Sequence, residues 1–529
     1  MVGRGGKGGA RTRRGRSAHT ADAVVRRSRN PPRDPPCGSP NSRRSCSYRH
    51  GHSATLTTAT RSTREREPMS EPSAGSAAEH RAGGATDALG LGRDIAAGGV
   101  DPVEHCADSL ERADAPEARH AFITRTPRRA RDEAAASRRR HRDGAAHGPL
   151  DGVPIAVKDL FDVAGTPTTA GSATLRDAAP ATTDATIVAN AAAAGMVCVG
   201  KTNLSEFAYS GLGLNATFGT PPNPHTPGGI PGGSSSGSAV AVATGVAPCA
   251  LGTDTSGSVR VPATFCGLVG FRPSTSRLDQ TGVYPLAPTL DSVGPLTRTV
   301  PDAAALDAVL RGRVPTPVRP PEPAELDVLV PEGVLTEDLD DEVRRRFEAA
   351  LERLERGGAR IRYGRVPAVE AVPPLFRDHG TLVAAEAHRT HAATVRGADA
   401  DRIDPRILHR LRQGEAVLRD SYDLLLRRRA ELRREANALL GTTVLVYPTV
   451  PATAPERALV EADPVSYARV NARVLRNTMV GSFLDLPSLT LPAGGSGAGR
   501  TVGVSVSGPT GADDRVLAAA AAVESVLAR

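Results

Sequence analysis

The chain of 529 residues is long enough for one large α/β domain or two smaller ones, with ample material for a core. Its net charge of +8 would suggest nucleic acid, yet residues 1–68 hold 16 Lys+Arg against 4 Asp+Glu, so the remainder carries −4 and is not expected to bind nucleic acid. Aromatic residues make up only 3%, no apolar run approaches the roughly 18 residues of a membrane span, and the six cysteines form no CxxC pair, which together point to a soluble cytoplasmic protein with reduced thiols.

Residues 1–80 are rich in Arg, Gly, Ser and Pro and hold one Leu, too little apolar surface to offset ordering entropy, so a disordered tail is expected. It reads foremost as sequence upstream of a true start at Met69. A basic nucleic-acid arm and an organelle transit peptide are the alternatives, and the Pro and Gly density argues against the amphipathic helix that a transit peptide needs. The folded domain is expected over residues 85–529.

From there helices and strands alternate. Asp184 can cap an Ala-rich helix that Gly195 ends, and Met196–Val199 follows as a short buried strand. Pairs of the same kind are Ser236–Thr244 with Val246–Leu251, and Tyr422–Leu440 with Val444–Val446. Near the end Val502–Val506 precedes a helix over Asp513–Leu527. Val343, Phe347, Ala350, Leu351 and Leu354 share one face of another helix, which Gly357 and Gly358 stop. The expected architecture is therefore α/β, a central mixed β-sheet flanked on both faces by helices. The Pro-rich stretch Pro315–Pro323 is the best internal linker, and it joins two halves of one domain because Leu326–Val330 resumes as a strand.

Three segments carry chemistry. In Gly152-Val-Pro-Ile-Ala-Val-Lys158-Asp159, the run Ile155–Val157 reads as a buried strand that delivers Lys158 to its end. Taken alone, such a lysine could simply return to solvent. The loop Pro227-Gly-Gly-Ile-Pro-Gly-Gly-Ser234-Ser235-Ser236-Gly237 leads into an Ala/Val helix, where serines could serve only as caps. Gly252-Thr-Asp-Thr-Ser-Gly-Ser258-Val-Arg260 follows a strand, and its small residues expose backbone N–H groups in the kind of nest an oxyanion hole requires. Asp254 and Arg260 are expected to pair beneath that loop.

Together these segments resemble the amidase signature family. The agreement rests on Gly152–Lys158, Gly232-Gly-Ser234-Ser235 and Gly252–Arg260, with Lys201-Thr-Asn-Leu-Ser-Glu-Phe207 and Asp291–Arg298 beside them; Ser234 and Ser258 lie 24 positions apart, as in the family. The resemblance implies Ser258 as nucleophile, Ser234 as a bridging serine after a cis peptide, and Lys158 as base. It also implies backbone N–H groups of Thr255, Ser256, Gly257 and Ser258 as the oxyanion hole, and Ala208 at the acyl side of the substrate. A serine needs a base within reach, and a lysine serves only when burial holds it neutral. Ser256 and Ser236 depart from the family, many of whose members carry Gly there. The implied reaction is hydrolysis of a small-molecule amide, most simply a linear one, with release of ammonia or an amine and no cofactor or metal; a homodimer is an open option. The substrate pocket is expected from residues 205–225, 280–290 and 370–480.

The same motifs admit rival readings. A glutaminase subunit of a tRNA-dependent amidotransferase shares the signature, but Arg476-Asn-Thr-Met-Val-Gly481 keeps only part of its pattern. Gly233-Ser-Ser235-Ser-Gly237 formally matches GxSxG, which would make Ser235 an esterase nucleophile, yet that elbow needs a strand just before it. Gly211-Leu-Gly213-Leu-Asn-Ala216 mimics a dinucleotide fingerprint without a βαβ unit. A catalytically inactive family member and a non-catalytic nucleic-acid-binding protein using the basic tail complete the set.

Overall fold

Short apolar runs separated by Gly, Pro and helical segments become eleven strands among the described residues. In chain order these are β1 (Phe122–Arg125), β2 (Pro154–Lys158), β3 (Val197–Thr202), β4 (Cys249–Thr253), β5 (Val269–Arg272), β6 (Val293–Thr297), β7 (Asp327–Glu332), β8 (Arg360–Arg365), β9 (Val444–Pro448), β10 (Ser488–Pro492) and β11 (Gly503–Ser507). They form one sheet in the order β1-β3-β2-β4-β6-β5-β10-β11-β9-β7-β8. The computed structural model describes residues 87–494 and 499–528, so the expected tail and the Met69 start lie outside the described residues.

The sheet is mixed. β3, β2 and β4 run parallel, as do β9, β7 and β8, and every pairing between β4 and β9 is antiparallel. Strands β1–β6 precede the Pro-rich stretch and β7–β11 follow it; the β5–β10 pairing joins the two sets into one sheet. That stretch therefore links two halves of a single sheet, as its composition suggested.

Side chains alternate between two helix-covered faces. In β7 and β9, Val328, Val330, Val444 and Val446 pack with the helices Asp341–Arg356 and Asp513–Leu527, while Leu329 and Leu445 join a second core with Leu382, Leu411 and Leu432. In β2 and β4, Ile155 and Leu251 face one layer, and Ala156 and Ala250 face Ala239–Val242 of the helix Ser236–Ala243. The helix at 341–356 ends at Gly357 with its expected apolar face buried.

Two local expectations change. Asp184 does not cap the following helix, Thr186–Ala193, whose N-cap is Ala185 with no side-chain bond. The Asp184 carboxylate instead pairs bidentately with Arg129 at 2.7 and 2.8 Å and accepts the Ala164 N–H at 2.8 Å, because a guanidinium fork outcompetes a local cap. The strand expected at Val246–Leu251 is shifted to Cys249–Thr253, which brings Thr253 to the site end of the sheet.

Candidate active site

All five residues of β2 are buried, and strand alternation places Lys158 on the side of Ala156, toward the helix Ser236–Ala243. Gly252 lies on that side in β4, and a Cβ there would stand 2.7 Å from Ser235 Oγ, so the missing side chain leaves room for the lysine and the serines to meet. Lys158 Nζ donates to Ser234 Oγ at 2.7 Å, Thr253 Oγ1 at 2.8 Å and Ser235 Oγ at 3.0 Å. Burial pulls the pKa of this ammonium down to about 7, against the opposing attraction of Asp254 and Asp291. In its neutral form the amine keeps two hydrogens and one lone pair, so one of the three hydroxyls must then donate to it.

The serine loop is held by contacts that exclude side chains. The Gly233–Ser234 peptide is cis. Gly233 donates its N–H to Gly211 O at 2.8 Å, and the Ser234 carbonyl accepts from Ser205 N–H at 3.1 Å. A Cβ on Gly213 would meet Gly232 O at 2.3 Å, which explains the Gly211–Gly213 pattern as loop packing instead of a phosphate cradle. Residues 221–235 contain no strand, so Ser235 is not at a nucleophile elbow. It occupies the N-cap position without a side-chain cap bond, its hydroxyl being committed to Lys158. The capping reading of these serines is thereby set aside.

Ser258 stands in the facing loop, and its carbonyl accepts the Ser235 N–H at 3.1 Å. Unlike Lys158 and Ser234, which are sealed, it is 5% exposed and lies on a cavity wall. Asp254 braces this loop from below. It accepts Gly257 N–H at 2.6 Å and pairs with the Arg260 guanidinium at 2.9 and 3.0 Å, all fully buried. Burial opposes the charge of Asp254, and Arg260 more than offsets that, holding the carboxyl below its usual range.

This bracing corrects one expectation. Gly257 cannot be an oxyanion donor while its N–H is spent on Asp254. The N–H groups of Thr255, Ser256 and Ser258 have no acceptor among the described residues, so they are free to donate to a ligand. Gly257 is required for another reason: its φ is 133°, and a Cβ would stand 2.2 Å from Thr478 Oγ1. Thr255 Oγ1 donates to Asp291 at 2.6 Å, and Thr478 Oγ1 donates to Ser256 O at 2.6 Å, so the loop is fixed on both sides. Neither Ser236 nor Ser256 has a positive φ, which is why serine fits where glycine is common.

In front of Ser258 lies a cavity of about 750 Å³. Ala208, Thr255, Ser256 and Ser258 form its inner wall, and its other lining residues fall within the three loop regions expected from the sequence. What sequence reasoning missed is the wall formed by the helix Pro405–Gln413. Arg406, His409, Arg410 and Gln413 recur at i, i+3, i+4 and i+7 and line the cavity, while Ile407 and Leu411 are buried on the other side. The polar stripe was visible, but such a stripe normally faces solvent. Arg406 is paired with Asp404 at 2.6 Å. Arg410 lies 4.2 Å from the Tyr209 ring centroid and donates to Tyr209 O, but forms no ion pair among the described residues. Among the described residues, no Asp or Glu lines the cavity.

The site can be set beside known proteins. A family model for amidases matches residues 104–517. The chain is 37% identical over 427 residues to the 2-amino-5-chloromuconic acid deaminase of Comamonas testosteroni, covering 77% of this chain and 88% of that one. It is 34% identical to a glutamyl-tRNA(Gln) amidotransferase subunit of Halobacterium salinarum, covering 72% and 97%. A crystal structure of an amidase superposes with a TM-score of 0.75 at 35% identity, covering 84% of this chain and all of the other. With sequence and fold in agreement, the chain belongs to the amidase family.

Proposed function

We propose that this protein hydrolyses the C–N bond of a carboxylic amide through an acyl-enzyme on Ser258. The observation that carries the reading is Lys158 Nζ, sealed from solvent, bonded to three hydroxyls and drawn by burial to about 7. Neutral Lys158 accepts the Ser234 proton while Ser234 accepts that of Ser258, and the Ser258 oxygen attacks the amide carbonyl. The oxyanion is met by the free N–H groups of the 255–258 loop. The proton returns through Ser234 to the leaving nitrogen, and the C–N bond breaks. Water then attacks the ester by the same relay, releasing the acid and restoring Ser258.

The cavity favours an amide that carries a carboxylate. Arg410 offers unpaired guanidinium donors on a wall with no opposing acid among the described residues, and such a group binds carboxylates well. The deaminase of Comamonas testosteroni is itself named for an acid, which agrees with this class. A second reading, favoured by the likeness to the amidotransferase of Halobacterium salinarum, has glutamine as the amide and ammonia passed to a partner. A cytoplasmic setting is part of this proposal, in keeping with the free thiols of Cys106, Cys198, Cys249 and Cys266.

The test is a serine-directed phosphonate probe followed by peptide mapping, with ammonia release measured across neutral, carboxylate-bearing and glutamine amides. An adduct on Ser258 and turnover of a carboxylate-bearing amide are expected. Labelling of Ser235 would remove the proposed relay, and turnover confined to glutamine would favour the second reading.

A further inference from the structure

Glu206 takes no part in the relay, yet it sits where the two cavity walls meet. It opens the short turn Glu206–Ala208 and is buried, at 3% exposure. Its two oxygens hold different parts of the chain. Oε1 accepts from Ser172 Oγ at 2.5 Å, and Oε2 accepts the Asp404 N–H at 2.7 Å, across 198 positions of sequence.

Asp404 is the N-cap of the helix that carries Arg410. Its carboxylate accepts the Arg406 N–H at 2.9 Å and pairs with the Arg406 guanidinium at 3.0 and 2.6 Å. A parallel tie lies beside it, where Arg402 donates to Ala173 O at 2.6 Å. The start of the helix is therefore moored to the segment at 172–173 and to the turn that presents Ala208. Arg410 lies six residues beyond Asp404, about 9 Å along a stiff helix, so a tilt at the mooring is transmitted to the guanidinium. A buried carboxyl is costly to keep, and an apolar side chain there would leave the Asp404 N–H without its acceptor.

We propose that Glu206 is a positioning residue for specificity: through Asp404 it fixes the cationic helix against the Ala208 wall and so sets the grip of Arg410 on a substrate carboxylate. This rests on the amide-hydrolase reading and on Arg410 as the anion contact. Glutamine preserves the network, because its carbonyl can accept from Asp404 while Ser172 turns to accept from its amide. Alanine cannot.

The experiment compares steady-state kinetics of the full-length protein on a carboxylate-bearing amide and on a small neutral amide. Glu206→Ala is expected to raise KM for the charged amide about tenfold while kcat changes less than about twofold, with Glu206→Gln close to wild type. In an Arg410→Met background the same Ala change should add less than about twofold to KM, since the contact it positions is gone. If Glu206→Ala does not fold, Glu206→Asp carries the test, being too short to hold both donors and giving the same split at smaller size. Equal effects on both amides, or a full tenfold effect without Arg410, would overturn the proposal. Failure of the wild type to hydrolyse either amide would instead overturn the amide-hydrolase reading.

Discussion

The two walls of the cavity are built on different principles. The inner wall comes from strand ends and glycine-bearing loops, with Lys158, Ser234 and Asp254 fully buried and the 255–258 loop pinned by Asp254, Asp291 and Thr478. The outer wall is made of helix side chains, among them Arg410 and Val465, the latter 76% exposed. Backbone donors and sealed hydroxyls have few alternative positions, whereas a side chain on an exposed helix face can be exchanged without disturbing a core. On the proposed reading, chemistry falls to the inner wall and selection to the outer one. Substitutions should sort accordingly, with kcat losses on one side and KM shifts on the other.

The largest effect is expected at Lys158. Lys158→Met removes the proposed base at similar length and should lower kcat by roughly a hundredfold or more. Lys158→Arg should be nearly as damaging, because guanidinium stays protonated and cannot accept a proton. Steady-state kinetics on protein shown folded by circular dichroism makes the comparison, and near-full activity of the Arg variant would leave Lys158 as a structural cation. The wild-type rate should carry a matching pH signature. The lowered pKa means that the charged, inactive form dominates below about 7, so kcat should rise with pH through that region and then level off.

Gly257→Ala tests the rigidity of the inner wall. The added Cβ would stand 2.2 Å from Thr478 Oγ1 at a φ of 133°, so loop and helix must separate. A cost of about 1–3 kcal/mol in stability is expected from such overpacking, read as a lower melting temperature, together with a fall in kcat. Unchanged kcat would mean that the loop is not held in a catalytic geometry.

Arg410→Met moves to the outer wall. KM for a carboxylate-bearing amide should rise about tenfold with kcat little altered, and KM for a neutral amide should stay within about twofold. A loss of kcat on both amides would break the division between walls. Val465→Ser, at the exposed mouth, marks the small end of the scale. Less than about a twofold change in either constant and an unaltered melting temperature are expected.

Much of this was legible in one dimension because its causes are local. The β2 run that ends on Lys158, the apolar face from Val343 to Leu354, and the small residues around Ser234 and Ser258 follow from periodicity and from loops that tolerate only small side chains. What the order of residues could not disclose are contacts between segments far apart in the chain. Ser235 and Thr253 share Lys158 across 77 and 95 positions. Arg129 takes Asp184 from its capping role across 55. The N–H of Gly257 is only three residues from Asp254, yet that carboxylate is aimed at it by Arg260 and a fully buried setting. The stripe from Arg406 to Gln413 has the same pattern whether it faces water or substrate. Helical periodicity determines which residues share a face, and only the packing of the sheet, the 172–173 segment and the helix Pro464–Phe483 decides what that face looks upon.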